Sequence, residues 1–206
     1  MSKKVVKIKT YIFAVVFLVL LLAAQSRAES SSNREYQIKA AFLYNFLMFV
    51  DWPPEKMGGS ADPIIIGIMG NDPFENAFEP IKDKQVNNRS VIVKRFKGLE
   101  ELKKSSEAER NKAIEDIEKC HLLYICRSEQ AVMNEITALI KDSNVLMVGS
   151  MGKFLESNGM INFVLEEDKV RFEINLTAAR QAKLQIRSQL LRLAKKVIGE
   201  EQDAKN

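Results

Sequence analysis

The sequence predicts an α/β fold in three layers: a mostly parallel sheet of about six strands flanked by helices, with a C-terminal antiparallel hairpin at the edge. Three observations predict it. A continuous apolar run at 64–69 and a mostly apolar one at 121–126 suit strands covered on both faces. Helical stretches alternate with these runs, the pattern of a parallel sheet. Near the C-terminus, runs at 160–165 and 169–175 are joined by Glu166-Glu167-Asp168, as in a hairpin.

The elements follow in order. Residues 34–50 contain no Pro or Gly and read as a helix capped by Asn33. It should end near Trp52, because Pro53 and Pro54 follow and the residue before a proline avoids helical geometry. Its apolar residues, among them Tyr36, Phe42, Phe46 and Phe49, cover most of the circumference, so it is buried on all sides or shared with a partner. After strand 64–69, Asp72, Pro73 and Glu75 carry a capping-box pattern for a short helix. A strand at 90–96 precedes a charged helical stretch, 99–118. Strand 121–126 leads to a helix capped by Ser128 and running to Lys141, with apolar residues at helical spacing. Residues 145–148 form a strand and 149–157 a turn with a short helix. In strand 169–175, Phe172 and Ile174 alternate with Arg171 and Glu173, so one face is exposed. Residues 177–198 read as a closing helix with Ile186, Leu190, Leu191, Ala194 and Val197 on one stripe.

Lys3, Lys4, Lys7 and Lys9 precede an apolar run of 14 residues, Tyr11 to Ala24, and then the small-residue step Ser26-Arg27-Ala28. That order is a secretory signal, 1–28, and the run is shorter than the ~20 residues a membrane-spanning helix needs. Cleavage is therefore favoured over retention as an anchor. A polar linker (29–34), one domain (35–198) and a frayed tail (199–206) complete the expected organisation. The signal carries five of the 31 Lys and Arg and none of the 27 Asp and Glu, so the mature chain has net charge −1. The pI of about 9.0 thus belongs to the removed segment, and nucleic acid drops out as a partner.

Few residues carry the pattern of an enzyme. His121, the single histidine, adjoins Cys120, and neighbours on a strand point to opposite faces, so the two make a poor nucleophilic pair. Two cysteines and one histidine on one strand cannot enclose a zinc. Cys120 and Cys126, if both lie on the strand, stand about 20 Å apart at ~3.3 Å per residue, too far for a disulfide. Gly67…Gly70 and Gly149…Gly152 lack the third glycine or the Gly-Lys-Ser/Thr of nucleotide-binding loops, so they read as tight turns. Both nonetheless lie at carboxyl ends of strands, where ligands bind in open parallel sheets. Gly70, Asn71, Ser128 and Gly149 therefore frame a candidate crevice for a small ligand. Asp51 and Glu55 read as a solvated helix end. No catalytic set and no cofactor or metal site emerges.

Tyr36-x-x-Lys39-Ala40-Ala41-Phe42-Leu43-Tyr44-Asn45-Phe46, ending in Val50-Asp51-Trp52-Pro53, resembles the opening signature of the YfiR-like periplasmic proteins. Cys120-His121, Gly159 to Phe163, Val170 to Asn175 and Leu190 to Ala194 follow in the same order, so the resemblance spans about 35–197. It implies a non-enzymatic periplasmic repressor that binds the periplasmic part of an inner-membrane diguanylate cyclase, lowering cyclic di-GMP and affecting biofilm and motility. It further implies a homodimer, redox control through disulfides, and release by a sequestering outer-membrane lipoprotein. The cysteines depart from the pattern: the repressor has two disulfides, whereas here only Cys120 matches and Cys126 has no counterpart. Cys120 and Cys126 are the redox candidates. Tyr44, Asn45, Phe49, Trp52 and Pro53 are the candidate dimer or partner surface. The alternative function is a periplasmic small-ligand sensor, using the crevice, for another membrane signalling protein.

Overall fold

The computed structural model describes residues 33–199. The expected signal peptide, linker residues 29–32 and all but the first residue of the tail lie outside them. No helix among the described residues is long and apolar enough to cross a membrane.

Residues 33–49 are helical (α1). Asn33 is already within the helix, and its side chain accepts a hydrogen bond from Gln37 Nε2 at 2.9 Å, so it is not the expected cap. The chain leaves α1 as a two-residue strand, β1 (Val50–Asp51), and Pro54 opens the short α2 (Pro54–Met57).

The main sheet has eight strands. They are β2 (Ile64–Met69), β3 (Gln85–Val86), β4 (Arg89–Phe96), β5 (Leu122–Ile125), β6 (Leu146–Gly149), β7 (Ile161–Glu166), β8 (Lys169–Asn175) and β10 (Lys196–Ile198). Their spatial order is β10-β8-β7-β6-β5-β2-β4-β3. The five strands β4, β2, β5, β6 and β7 are mutually parallel, and β7–β8 is the antiparallel hairpin. The predicted class therefore holds, with two strands beyond the expected six. β10 pairs parallel to β8 outside the hairpin and becomes the edge on that side.

β5 and β6 are buried along their whole length, which requires cover on both faces. On one face α1 packs through Phe46, whose ring stacks on Phe163 at 5.7 Å and meets Phe172 edge-on at 5.2 Å. Those two residues are cross-strand partners in the hairpin. On the opposite face the β2 backbone is approached so closely that a Cβ at Gly67 would sit 2.9 Å from Cys120 Sγ and 2.8 Å from a Leu123 methyl. Gly67 is thus a packing residue.

Several local expectations are corrected. Residues 99–118 form two helices, α3 (Leu99–Lys104) and α4 (Glu107–Glu118), because Ser106 and Glu109 make a reciprocal capping box that starts the second. Asp72 Oδ1 accepts from Phe74 N at 2.7 Å, but Glu75 takes a left-handed φ of 44° and no α-helix follows. Ser128 caps nothing: Arg127–Val132 is a 3-10 turn leading into α5 (Met133–Ile140). Residues 151–158 are turns, and Phe154 lies where a Cβ on Gly149 or Gly159 would stand, 2.6 and 2.3 Å from its ring.

The largest difference is at the C-terminus. The expected helix 177–198 is four short elements: α6 (Leu176–Gln181), β9 (Gln185–Ile186), α7 (Ser188–Leu191) and β10. α6 ends in a Schellman-type cap, with Leu184 N donating to Ala179 O and Lys183 N to Arg180 O, both at 2.9 Å. Its left-handed position is held by Lys183, φ 58°, rather than glycine. β9 then pairs antiparallel with β1, and Arg187 clamps Asp51 with two hydrogen bonds of 2.6 and 3.0 Å.

Candidate functional site

The parallel core runs in the order β4-β2-β5-β6-β7, so the chain leaves β2 toward one side and returns on the other. The loops after β2 and β5 therefore diverge at one point of the sheet. A crevice outside the carboxyl ends of strands is expected at such a switch point. One of about 570 Å³ lies there, walled by the loops after β2, β5 and β6 and by the start of α1.

Of the four residues predicted to frame it, Asn71 and Ser128 line it directly. Asn71 N donates to Ser128 Oγ at 3.1 Å, tying the two loops together. Gly70 stands behind, with φ 96° and no room for a side chain: a Cβ would come within 2.4 Å of Ser128 Oγ. Gly149 is closed off by Phe154, and its neighbour Ser150 reaches the crevice instead.

Lys39 dominates the interior. It is only 3% exposed, and its ammonium donates to Ser150 Oγ at 3.0 Å and pairs with Glu35 Oε1 at 2.5 Å. The ammonium also lies 4.7 Å from the centre of the Tyr36 ring. Burial lowers the Lys39 pKa, and the bond to Glu35 opposes that change. Arg127 stands at the mouth, exposed, with one long hydrogen bond of 3.4 Å from Nη2 to Ser150 O.

Glu129 is buried beside this wall. Its Oε2 accepts from Leu99 N at 2.8 Å, at the start of α3, and its Oε1 accepts from Ser128 Oγ at 2.8 Å. It replaces the missing side-chain cap of α3 and fixes Ser128 toward Asn71.

The Cys–His region is structural. His121 Nδ1 accepts from Ile65 N at 3.2 Å, and burial, reinforced by Lys56 and Arg89, lowers its pKa to about 4. Cys120 and Cys126 are buried free thiols beyond opposite ends of β5, and burial pushes each up to about 12. Thiolate chemistry needs the opposite environment. Among the described residues no group of three His, Cys, Asp or Glu is placed to hold a metal ion.

The family model described as DUF4154, YfiR/HmsC-like, matches residues 36–195. The chain belongs to the YfiR/HmsC-like family. The family is one of periplasmic regulatory proteins rather than enzymes. A solved conserved domain protein from Vibrio cholerae O1 biovar El Tor is also similar, at 13% identity and a TM-score of 0.46. That similarity covers 65% of this chain and 54% of the other, so the chain spans about half the length of that solved relative. No functionally curated protein matches.

In this YfiR/HmsC-like chain the aromatic signature of α1 serves mainly the core. Leu43, Phe46 and Leu47 are fully buried. Trp52 is a correction to the expected partner surface: it is 9% exposed, and its indole N–H donates to His121 O at 3.0 Å. Tyr44, Asn45, Phe49 and Pro53 remain half-exposed. Tyr44 donates its hydroxyl to Gln85 O at 2.9 Å, joining α1 to β3. Asp51 and Glu55 do not act together, since Asp51 is taken by Arg187. Sequence reasoning missed Lys39 and Glu129. Lys39 had one local signal, Glu35 four residues earlier on the same helix face.

Proposed function

We propose that the protein is a non-enzymatic periplasmic regulator that binds and represses a membrane-bound diguanylate cyclase and so lowers cyclic di-GMP. The observation that carries this reading is the family match across 36–195, nearly the whole described domain. The regulator works as a homodimer, and sequestration by an outer-membrane lipoprotein releases the cyclase. The exposed part of α1 and the turn after it, Tyr44, Asn45, Phe49 and Pro53, is the partner-facing surface. Its supporting feature is partial exposure of aromatic and polar groups beside a rigid core, the composition of binding surfaces.

Cellular cyclic di-GMP measured with the gene deleted and then restored tests the reading. Deletion should raise the level and restoration lower it; an unchanged level in both strains would overturn it. An Asn45→Arg variant should fail to restore the low level while melting normally, since a half-exposed substitution usually changes stability by only ~0.5 kcal/mol.

A further inference from the structure

The crevice over the switch point contains a charge arrangement that packing does not require. Lys39 is a cation buried to 3% exposure, with its ammonium held on one side by Glu35 and on another by the Ser150 hydroxyl. Removing an ammonium from water is costly unless it is paired, so Glu35 accounts for its neutralisation but not for its placement at a cavity wall. Arg127 faces the same space and pairs with no carboxylate among the described residues. The other carboxylates nearby are engaged elsewhere: Asp72 with Arg95 at 2.6 Å, and Glu129 with the Leu99 N–H at 2.8 Å.

Lys39 and Glu35 cancel, and Arg127 leaves one positive charge at the mouth. A single negative charge matches that balance better than a doubly charged phosphate. A planar guanidinium takes a carboxylate through two parallel hydrogen bonds, with Ser128, Ser150 and Asn71 close by as further polar partners. The rest of the wall is Tyr36, Pro73 and Tyr124, an apolar and aromatic lining for the body of an organic molecule. The volume, about 570 Å³, lies in the range of small-ligand sites.

We propose that this crevice is a binding site for a small monocarboxylate with an apolar or aromatic body, seated between the Lys39 ammonium and the Arg127 guanidinium. The binding chemistry does not depend on which membrane protein the domain controls.

The test is titration of the purified isotope-labelled protein with acetate, hexanoate and phenylacetate, following the backbone amides of Tyr36, Asn71 and Ser150 by NMR. Phenylacetamide serves as the uncharged control and inorganic phosphate as the dianion. At least one of the two larger carboxylates should saturate these amides with Kd of about 1 mM or tighter. Phenylacetamide and phosphate should bind at least tenfold more weakly. Arg127→Gln, at an exposed position that leaves the spectrum of the folded protein intact, should weaken carboxylate binding at least tenfold. Absence of saturable shifts with all three carboxylates overturns the proposal. So does equal affinity in R127Q, or tighter binding of phosphate.

Discussion

Trp52 donates its indole N–H to the backbone carbonyl of His121 at 3.0 Å, and the two rings meet edge-on with centroids 5.8 Å apart. The contact joins the segment that leaves α1 to the start of β5 across 69 residues of sequence. Trp52→Phe keeps most of the ring but removes one of the two hydrogen bonds at that carbonyl, which still accepts from Leu146 N at 2.9 Å, at a cost of about 0.5–1.5 kcal/mol. Trp52→Ala should cost about 3–5 kcal/mol. Urea denaturation of both variants checks the order, and the Phe variant should still repress in cells, as expected of a core residue outside the partner surface.

His121 makes stability depend on pH. Its folded-state pKa is lowered from 6.5 to about 4, so below pH 6.5 the unfolded chain takes up a proton that the native state refuses. The stabilisation is complete above pH 6.5, falls as pH drops toward about 4, and levels off below that. At 1.36 kcal/mol per unit the upper limit is about 3 kcal/mol. Unfolding free energies between pH 4 and 8 should show this slope in the parent protein and lose most of it in His121→Asn.

Glu129 holds two loops and a helix start at once. Glu129→Ala strands the buried Leu99 N–H and frees Ser128, so a loss of about 1–3 kcal/mol is expected. Glu129→Gln retains one acceptor oxygen and should lose less. Hydrogen exchange at Leu99 reports the change directly: its amide should exchange faster in the Ala variant than in the Gln variant.

The two thiols should be inert while the protein is folded. Both are buried and pushed up to about 12, which removes thiolate near neutral pH. Ellman's reagent should label neither Cys120 nor Cys126 in native buffer and both in strong denaturant. The melting temperature should be the same with and without dithiothreitol. Rapid native labelling, or a melting temperature that responds to the reductant, would restore redox control as a property of this chain.

The elements that were legible in the sequence are those whose cause is local. β2, β5 and β6 are unbroken apolar runs, and a strand buried on both faces leaves that trace whatever its neighbours are. The β7–β8 hairpin was legible from its apolar alternation and acidic turn, and helix α1 from its composition and the prolines that follow. The crevice could be anticipated in part, since Asn71 and Ser128 end parallel strands. The buried cation within it could not, because Ser150 is 111 residues from Lys39 in the chain and only the sheet brings them together.

The C-terminal quarter shows where sequence alone stops. Ile186, Leu190 and Val197 lie at helical spacing, and nothing local forbids a helix there. Their conformation is decided by partners far along the chain. Asp51, 136 residues from Arg187, helps hold β9 against β1, and Glu173, Ile174 and Asn175 receive β10 as a parallel strand. Main-chain hydrogen bonds to an existing sheet edge satisfy the same donors and acceptors that a helix would, so periodicity cannot choose between them. The sequence by itself determined the layers, the family and the apolar strands. Only the tertiary structure decided which side chains became core, as Trp52 did, and which charges were gathered over the switch point.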